Sequence, residues 1–418
     1  MMKNNDQNVV VETLLSPLVP LIKEAAKSIK GDSETYKLSL FPFTINLLFG
    51  IIKGIKSIGL LVTETKSSPV ANAMDLVIAS KSMYSEAFSR YSAEVYRKIF
   101  IQLLGILDFM QIPEIQHLGR ILLVDGSLFP AMLSMQWAHY KQTAKAIKLQ
   151  LSFELNRMIP AQFMCTEGNY SERKFLKKIL EKGVTYVCDR GYISFTLFKE
   201  ICIKEAFFII RGKVGMNYKV MEHFVVNIPA QFLEFLKDIK DMKVVFSNDI
   251  NKIEYRVITF TALGEVYVLI TNRFDLSTYQ VIMLYAYRWQ VELCFRFLKR
   301  TLNGIHLLCH NSNGIQIQFY LYMIGYLLLL SFKQKCQTIY ESNQAEQRPE
   351  KKDSHNNSEL DYDINPNAER QYVCGLVSLL GQGLRKYWKI GIHWLATVRN
   401  CLLKPFTLDT VRTIVMYQ

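Results

Sequence analysis

Residues 285–300, YAYRWQVELCFRFLKR, hold a single carboxylate, Glu292, among Arg288, Arg296 and Lys299. Drawn as one α-helix at about 100° per residue, Tyr285, Arg288, Glu292 and Lys299 share an arc of roughly 60°, with Arg296 nearby. Tyr287, Val291, Cys294 and Leu298 make the opposite, apolar side. Such a strip has a plain reading: Glu292 pairs with Arg288 and Arg296, four residues away on either side, each pair worth about 0.3–0.5 kcal/mol. It also has a chemical one, in which the carboxylate binds a hard cation and its basic neighbours grip phosphates.

Two acids upstream bear on that choice. RILLVDGS (120–127) and VTYVCDRGY (184–192) are apolar runs that end in Asp125 and Asp189, as buried strands entering turns would. Alone, an Asp at a strand end is most often a turn residue. Between the two, KAIKLQLSFEL (145–155) alternates as a half-buried strand, and IPAQFMCTEG (159–168) reads as its neighbour. SERKFLKKILEKG (171–183) follows as a helix, with Ser171 as N-cap and Gly183 as stop; SFTLFKEICIKE then reads as a helix and AFFIIRG as a strand. The βββαβαβ order matches a ribonuclease H-like arrangement, in which the first and fourth strands are neighbours and their terminal Asp residues lie side by side. A helix running from an N-cap at Ser277 to about Leu302 would bring Glu292 over them. Three convergent carboxylates repel one another unless cations lie between, and hard oxygen ligands select Mg²⁺ or Mn²⁺. Two such ions suit in-line displacement at phosphorus.

Tyr285-x2-Arg288-x3-Glu292-x6-Lys299 reproduces the Y-(2)-R-(3)-E-(6)-K signature of DDE transposases of the insertion-sequence-four family. LLVDGS and VCDRGY resemble the motifs around that family's two catalytic Asp residues, and the likeness extends from about 115 to 335. The resemblance implies a cut-and-paste transposase: water nicks the transposon ends, and the freed 3′-OH attacks target DNA. It also implies Asp125, Asp189 and Glu292 as ligands of two divalent cations, Mg²⁺ or Mn²⁺, with Tyr285, Arg288 and Lys299 on phosphates of the transposon end. Arg296 joins the DNA-binding candidates by position, and Trp289 could stack on a base or pack in the core. Partners would be double-stranded DNA, both transposon ends and target, and a second copy of the chain in a dimeric synaptic complex. Some relatives pass through a DNA hairpin and steady a flipped base with a Trp of a β-rich insertion. Here the tryptophans are 137, 289, 388 and 394, none within 213–272. Two other readings stay open: a ribonuclease H-like nuclease or resolvase without strand transfer, and a catalytically silent DNA-binding derivative.

The rest of the 418-residue chain must position these groups. A helical region over 1–112 would bind DNA, with Lys23, Lys27, Lys30, Lys53 and Lys56 as candidates for its surface. The catalytic core would occupy 113–212 and 273–335, interrupted by a β-rich insertion over 213–272. FYLYMIGYLLLLSF (319–332) reads as a buried helix too short to span a membrane. Residues 336–371 are polar and Pro-broken, a loop or disordered insert, and 372–418 read as helical. A net charge of +13 favours a polyanionic partner. Scattered cysteines and the lack of a signal-peptide pattern at the start point to reduced thiols and a cytoplasmic protein, which the resemblance implies is bacterial and nucleoid-associated. His306, Cys309 and His310 lack a second cluster and are expected to be incidental.

Overall fold

A computed structural model describes residues 14–346, apart from 69, 70, 73, 110–112, 231, 232, 234, 235, 263, 297 and 300–305. The readings for 372–418, and for the loop beyond 346, lie outside the described residues. The chain divides into two compact units, one drawn from Met1–Met110 and Leu298–Ile392, the other from Gln111–Phe297 and His393–Gln418.

The first unit is helical: α1 (Val19–Lys27), α2 (Asp32–Thr35), α3 (Leu40–Lys53), α4 (Ile58–Ser67), α5 (Lys81–Arg90) and α6 (Ala93–Ile106). The last helix, α12, joins them from far along the chain (Ser312–Glu346). Helix α3, LFPFTINLLFGIIK, is apolar on nearly every side and correspondingly buried. Its two buried polar side chains find partners: Thr44 hydrogen-bonds Tyr96, and Asn46 donates to Tyr84. The tyrosine-to-leucine run from 84 to 107 reads as continuous helix in its apolar spacing but breaks at Tyr91–Ser92, where the Ser92 hydroxyl caps α6. Asn313 clamps that break, donating to the Phe88 and Tyr91 carbonyls and accepting from the Ala93 amide.

Within α12, Ser312–Phe332 has the length and apolarity of a membrane span, so shortness does not exclude one; yet 83% of that stretch is buried within the protein. The helix also continues to Glu346, through residues expected to open the polar loop. A polar composition does not prevent helical backbone once a long apolar segment has nucleated it. Lys53, offered as a DNA-facing residue, is ion-paired with Glu64; Lys23, Lys27, Lys30 and Lys56 are exposed.

The second unit is a mixed α/β structure around one ten-stranded sheet. After the short α7 (Pro113–Gln116) come β1 (Ile121–Ala131), β2 (His139–Lys141), β3 (Ala144–Glu154), β4 (Ile159–Glu167), α8 (Glu172–Lys178), β5 (Thr185–Cys188), α9 (Phe195–Ile203) and β6 (Phe207–Arg211). The insertion adds β7 (Tyr218–His223), β8 (Leu236–Phe246), β9 (Glu254–Ala262) and β10 (Glu265–Thr271), followed by α10 (Thr278–Ala286) and α11 (Trp289–Arg296). Strand order is β2-β3-β1-β5-β6-β10-β9-β8-β7, with β4 also on β3. β1, β5 and β6 run parallel, and the other pairings are antiparallel. Leu122, Val124, Tyr186, Cys188, Phe208 and Ile210 pack with Phe175, Leu197 and Phe198 of α8 and α9 in one core.

The insertion is no separate body. Its last strand pairs with β6 (Ile209 opposite Thr271), so the sheet simply grows from the edge that β6 leaves open. Of HFVVNI (223–228), an apolar run that would suit a strand, only His223 belongs to β7.

A buried ion pair fastens this extension to the helices that follow. Arg256 of β9 forks onto Asp241 of β8 at 2.6 and 2.9 Å, and also donates to the Arg273 and Leu276 carbonyls. Thr278, first residue of α10, donates to the same Asp241 carboxylate. Removing one member leaves the other charge buried and uncompensated. We expect Arg256→Met to lower stability by about 3–5 kcal/mol, read as a large drop in the thermal unfolding midpoint. Arg256→Met with Asp241→Leu should recover part of that loss; a double variant less stable than the single would remove the uncompensated charge as its cause.

Candidate active site

The parallel register of β1 and β5 sets Val124 opposite Cys188. The next residues are Asp125, still within β1, and Asp189, just past the end of β5. Each carboxylate is oriented by a backbone amide further along: Gly126 donates to Asp125 at 2.7 Å, and Gly191 to Asp189 at 2.8 Å. Two Asp residues 64 positions apart in sequence thus stand at neighbouring strand positions because two apolar four-residue runs pair in parallel.

Glu292 arrives on a different element from the one expected. Ser277 does open α10, with a full capping box to Gln280. The helix then stops at Ala286 and restarts at Trp289, so 285–299 is no continuous α-helix. Across the join the backbone tightens to three-residue hydrogen bonds: Arg288 to Tyr285, Gln290 to Tyr287 and Val291 to Arg288. Three-residue spacing eclipses side chains i and i+3, and the Arg288 guanidinium lies 6.0 Å from the Tyr285 ring. Past the end of α11, Lys299 is exposed and falls in the helical unit.

Nor is the strip solvated. Arg288 is only 7% exposed and Tyr285 3%. The guanidinium reaches Glu292 at 2.9 Å and Asp125 at 3.7 Å, spanning two of the three acids. Trp289 is 9% exposed, with the Arg296 guanidinium 5.4 Å over its ring, which favours packing over base stacking.

The charges explain why Arg288 sits there. Burial pushes the Asp125 carboxyl up to about 7; nearby Asp189 and Glu292 push the same way, against Arg288 and the Gly126 amide. Burial works against the Arg288 charge as well, but Tyr285, Asp125 and Glu292 outweigh it and drive its pKa up. Beneath them, burial and the same acids raise the Cys188 thiol, so it is an inert core group.

Asp125 therefore feels both of the other predicted acids, yet among the described residues no three His, Cys, Asp or Glu side chains are gathered closely enough to hold an ion. The donor chemistry still suits one. Asp125 is a buried carboxylate whose ionised form is undercompensated by a single shared guanidinium, and hard oxygen donors match Mg²⁺ or Mn²⁺. Around Cys309, burial raises the thiol to about 12, and no metal set forms there among the described residues. Sequence reasoning passed over Glu172, the first residue of α8, whose carboxylate lies against Gly126 and Gly191. The only signal was an acid next to Ser171, and Ser171 itself makes no side-chain cap.

The Transposase DDE domain family matches residues 116–328, from just before β1 into α12. The chain belongs to that family. Among its relatives, "Putative transposase y4zB" of Sinorhizobium fredii is 26% identical over 250 residues, covering 59% of this chain and 69% of the relative. "Putative transposase for insertion sequence element IS4SA" of Synechocystis is 25% identical, covering 59% and 70%. A piggyBac transposase synaptic complex with hairpin DNA aligns at 11% identity and a TM-score of 0.39, over 98% of this chain and 84% of that one. That overlap is too loose to carry an argument.

In this transposase domain, the Asp125 carboxyl makes stability depend on pH. Below its ordinary value of 3.8 it is protonated whether folded or not. As pH rises towards about 7 the unfolded chain ionises first, so folded stability falls; above that the penalty is constant, on the order of a few kcal/mol. In chelator, Asp125→Asn should raise the thermal unfolding midpoint at pH 8, and the gain should shrink steadily between pH 7 and pH 4. A gain independent of pH would discard burial of the charge as its source.

Proposed function

We propose that the chain is a cut-and-paste DNA transposase of the insertion-sequence-four type, with a ribonuclease H-like catalytic core. The parallel pairing of β1 and β5 carries the reading, since it sets Asp125 beside Asp189. Strands β4-β3-β1-β5-β6 follow the order expected of that core, and the Tyr285–Arg288–Glu292–Lys299 spacing supports the finer family assignment. Asp125, Asp189 and Glu292 would hold two divalent cations, Mg²⁺ or Mn²⁺. Such cations, when bound, lower the pKa of the attacking water and stabilise the leaving oxygen.

The chain's own groups do the rest. Asp125 and Asp189 are preset by the amides of Gly126 and Gly191, so little side-chain freedom is lost when they ligate. Arg288 holds Glu292 and neutralises Asp125 until phosphates compete for its guanidinium, whose planar fork suits them. Tyr285 lies against Arg288 and orients it; exposed Lys299 would meet the DNA backbone. Partners in this reading are the transposon ends and target DNA, engaged by a homodimer in the bacterial cytoplasm.

With DNA carrying the element's own terminal inverted repeats, we expect Mg²⁺-dependent cleavage that Glu292→Gln lowers by at least about 10³-fold while end binding persists. Pre-cleaved 3′-OH ends should be joined to target DNA; cleavage without joining would favour a nuclease or resolvase. Full cleavage by Glu292→Gln would overturn the role given to that carboxylate.

A further inference from the structure

A fourth acid lies at the same strand ends. A Cβ built on Gly126 would stand 2.9 Å from Oε1 of Glu172, and one on Gly191 would stand 3.3 Å from its Oε2. Gly126 directly follows Asp125, and Gly191 comes two residues after Asp189. These glycines leave room for the Glu172 carboxylate in both motifs, Asp-Gly-Ser and Asp-Arg-Gly. Over Gly191 the same Cβ position is 3.1 Å from Oδ1 of Asp189. Asp189 therefore has an acidic neighbour on each side: Asp125 along the parallel pair and Glu172 over Gly191.

A second observation points to a missing ligand. Gln150, opposite Gly126 on β3, is fully buried, and neither its amide oxygen nor its nitrogen has a hydrogen-bond partner among the described residues. An unsatisfied buried amide is costly. Gln150 Oε1 comes within 3.0 Å of the same point above Gly126 that Glu172 Oε1 approaches. The Gln150 and Glu172 oxygens flank Gly126, and the other Glu172 oxygen shares the space over Gly191 with Asp189 Oδ1. Lys148, two residues before Gln150 on β3, bonds Glu172 at 3.3 Å and the Tyr170 carbonyl at 3.1 Å. It does for Glu172 what Arg288 does for Glu292, supplying a monovalent counter-charge.

We infer that Glu172 is a fourth metal-ligating carboxylate, sharing a divalent cation with Asp189 beside the Gln150 amide, with Lys148 as its resting counter-ion. The inference rests on the metal-dependent reading above and adds a ligand to it. Glu172 crosses from Lys148 to the cation on binding, and the Gln150 amide gains the partner it lacks.

Mn²⁺ binding to the full chain without DNA, followed by the electron paramagnetic resonance of free Mn²⁺, tests this. Glu172→Gln should weaken binding by at least about tenfold, and Lys148→Met should tighten it about threefold or more, because the competing charge is gone. If Glu172 serves only as an ion-pair partner, Lys148→Met tightens binding just as much with Glu172→Gln in place, and that result overturns the inference. It is overturned too if both variants bind like the wild type while Asp125→Asn weakens binding; the metal-dependent reading then survives. Unchanged binding in Asp125→Asn as well would sink that reading, and the inference with it. Should Glu172→Gln fail to fold, Glu172→Asp takes its place in the single and double variants.

Discussion

Much of the sheet unit answers to one electrostatic constraint: acidic side chains stand together at adjacent strand ends, partly removed from water. Parallel pairing of β1 with β5 creates the problem, because it forces Asp125 and Asp189 into neighbouring positions. Desolvation then raises the Asp125 carboxyl to about 7. Arg288 is the internal answer. Its guanidinium stays charged when buried and reaches two carboxylates at once, where a lysine offers a single point charge. The tight turn at 287–288 is what permits that reach, since it carries Arg288 inward with Tyr285 instead of leaving it on a solvated face.

Support for that turn comes from a distance. Arg273 donates to Thr185 at the start of β5 and to the Leu118 carbonyl just before β1, while chelating Asp275. One side chain thus ties the entry of both Asp-bearing strands to the segment leading into α10. Asp241 and Arg256 perform the complementary task from the insertion, gripping the Arg273 and Leu276 carbonyls and the Thr278 hydroxyl. The insertion is therefore coupled to the helices bearing Arg288 and Glu292 by buried charge, as well as by the continuous sheet. Strands β7–β10 brace the site even though they contribute none of its acids.

Where the sequence was legible, the signal was local and periodic. Short apolar runs closing on Asp marked the ends of β1 and β5, and Ser277 followed three residues later by Gln280 marked the start of α10. What escaped depends on tertiary contact. Nothing in YAYRWQVELC breaks a helix by propensity; the break goes with the burial of both the Tyr285 and Arg288 side chains, which a single continuous amphipathic face would not require. Glu172 escaped because its neighbours in space, Gly126 and Gly191, lie 46 and 19 residues away, and an acid beginning a helix is unremarkable. The packing of α12 escaped for a similar reason. Periodicity identifies α12 as buried but not as a partner of α3 and α6.

Holding acids apart with Arg288 and Lys148 has a thermodynamic consequence. Each cation that stabilises the free protein competes with whatever the acids are meant to bind. A phosphate that draws Arg288 away leaves Glu292 and Asp125 without their counter-charge, and so raises their affinity for a divalent ion. By linkage, an ion that draws Glu292 away frees Arg288 for a phosphate by the same factor. Metal and DNA binding would then be positively coupled through a side chain only 7% exposed in the free protein. Coupling of this kind would suit the proposed transposition chemistry, because acids whose charge is balanced by their own arginine would assemble a full metal site most readily once the substrate backbone is present.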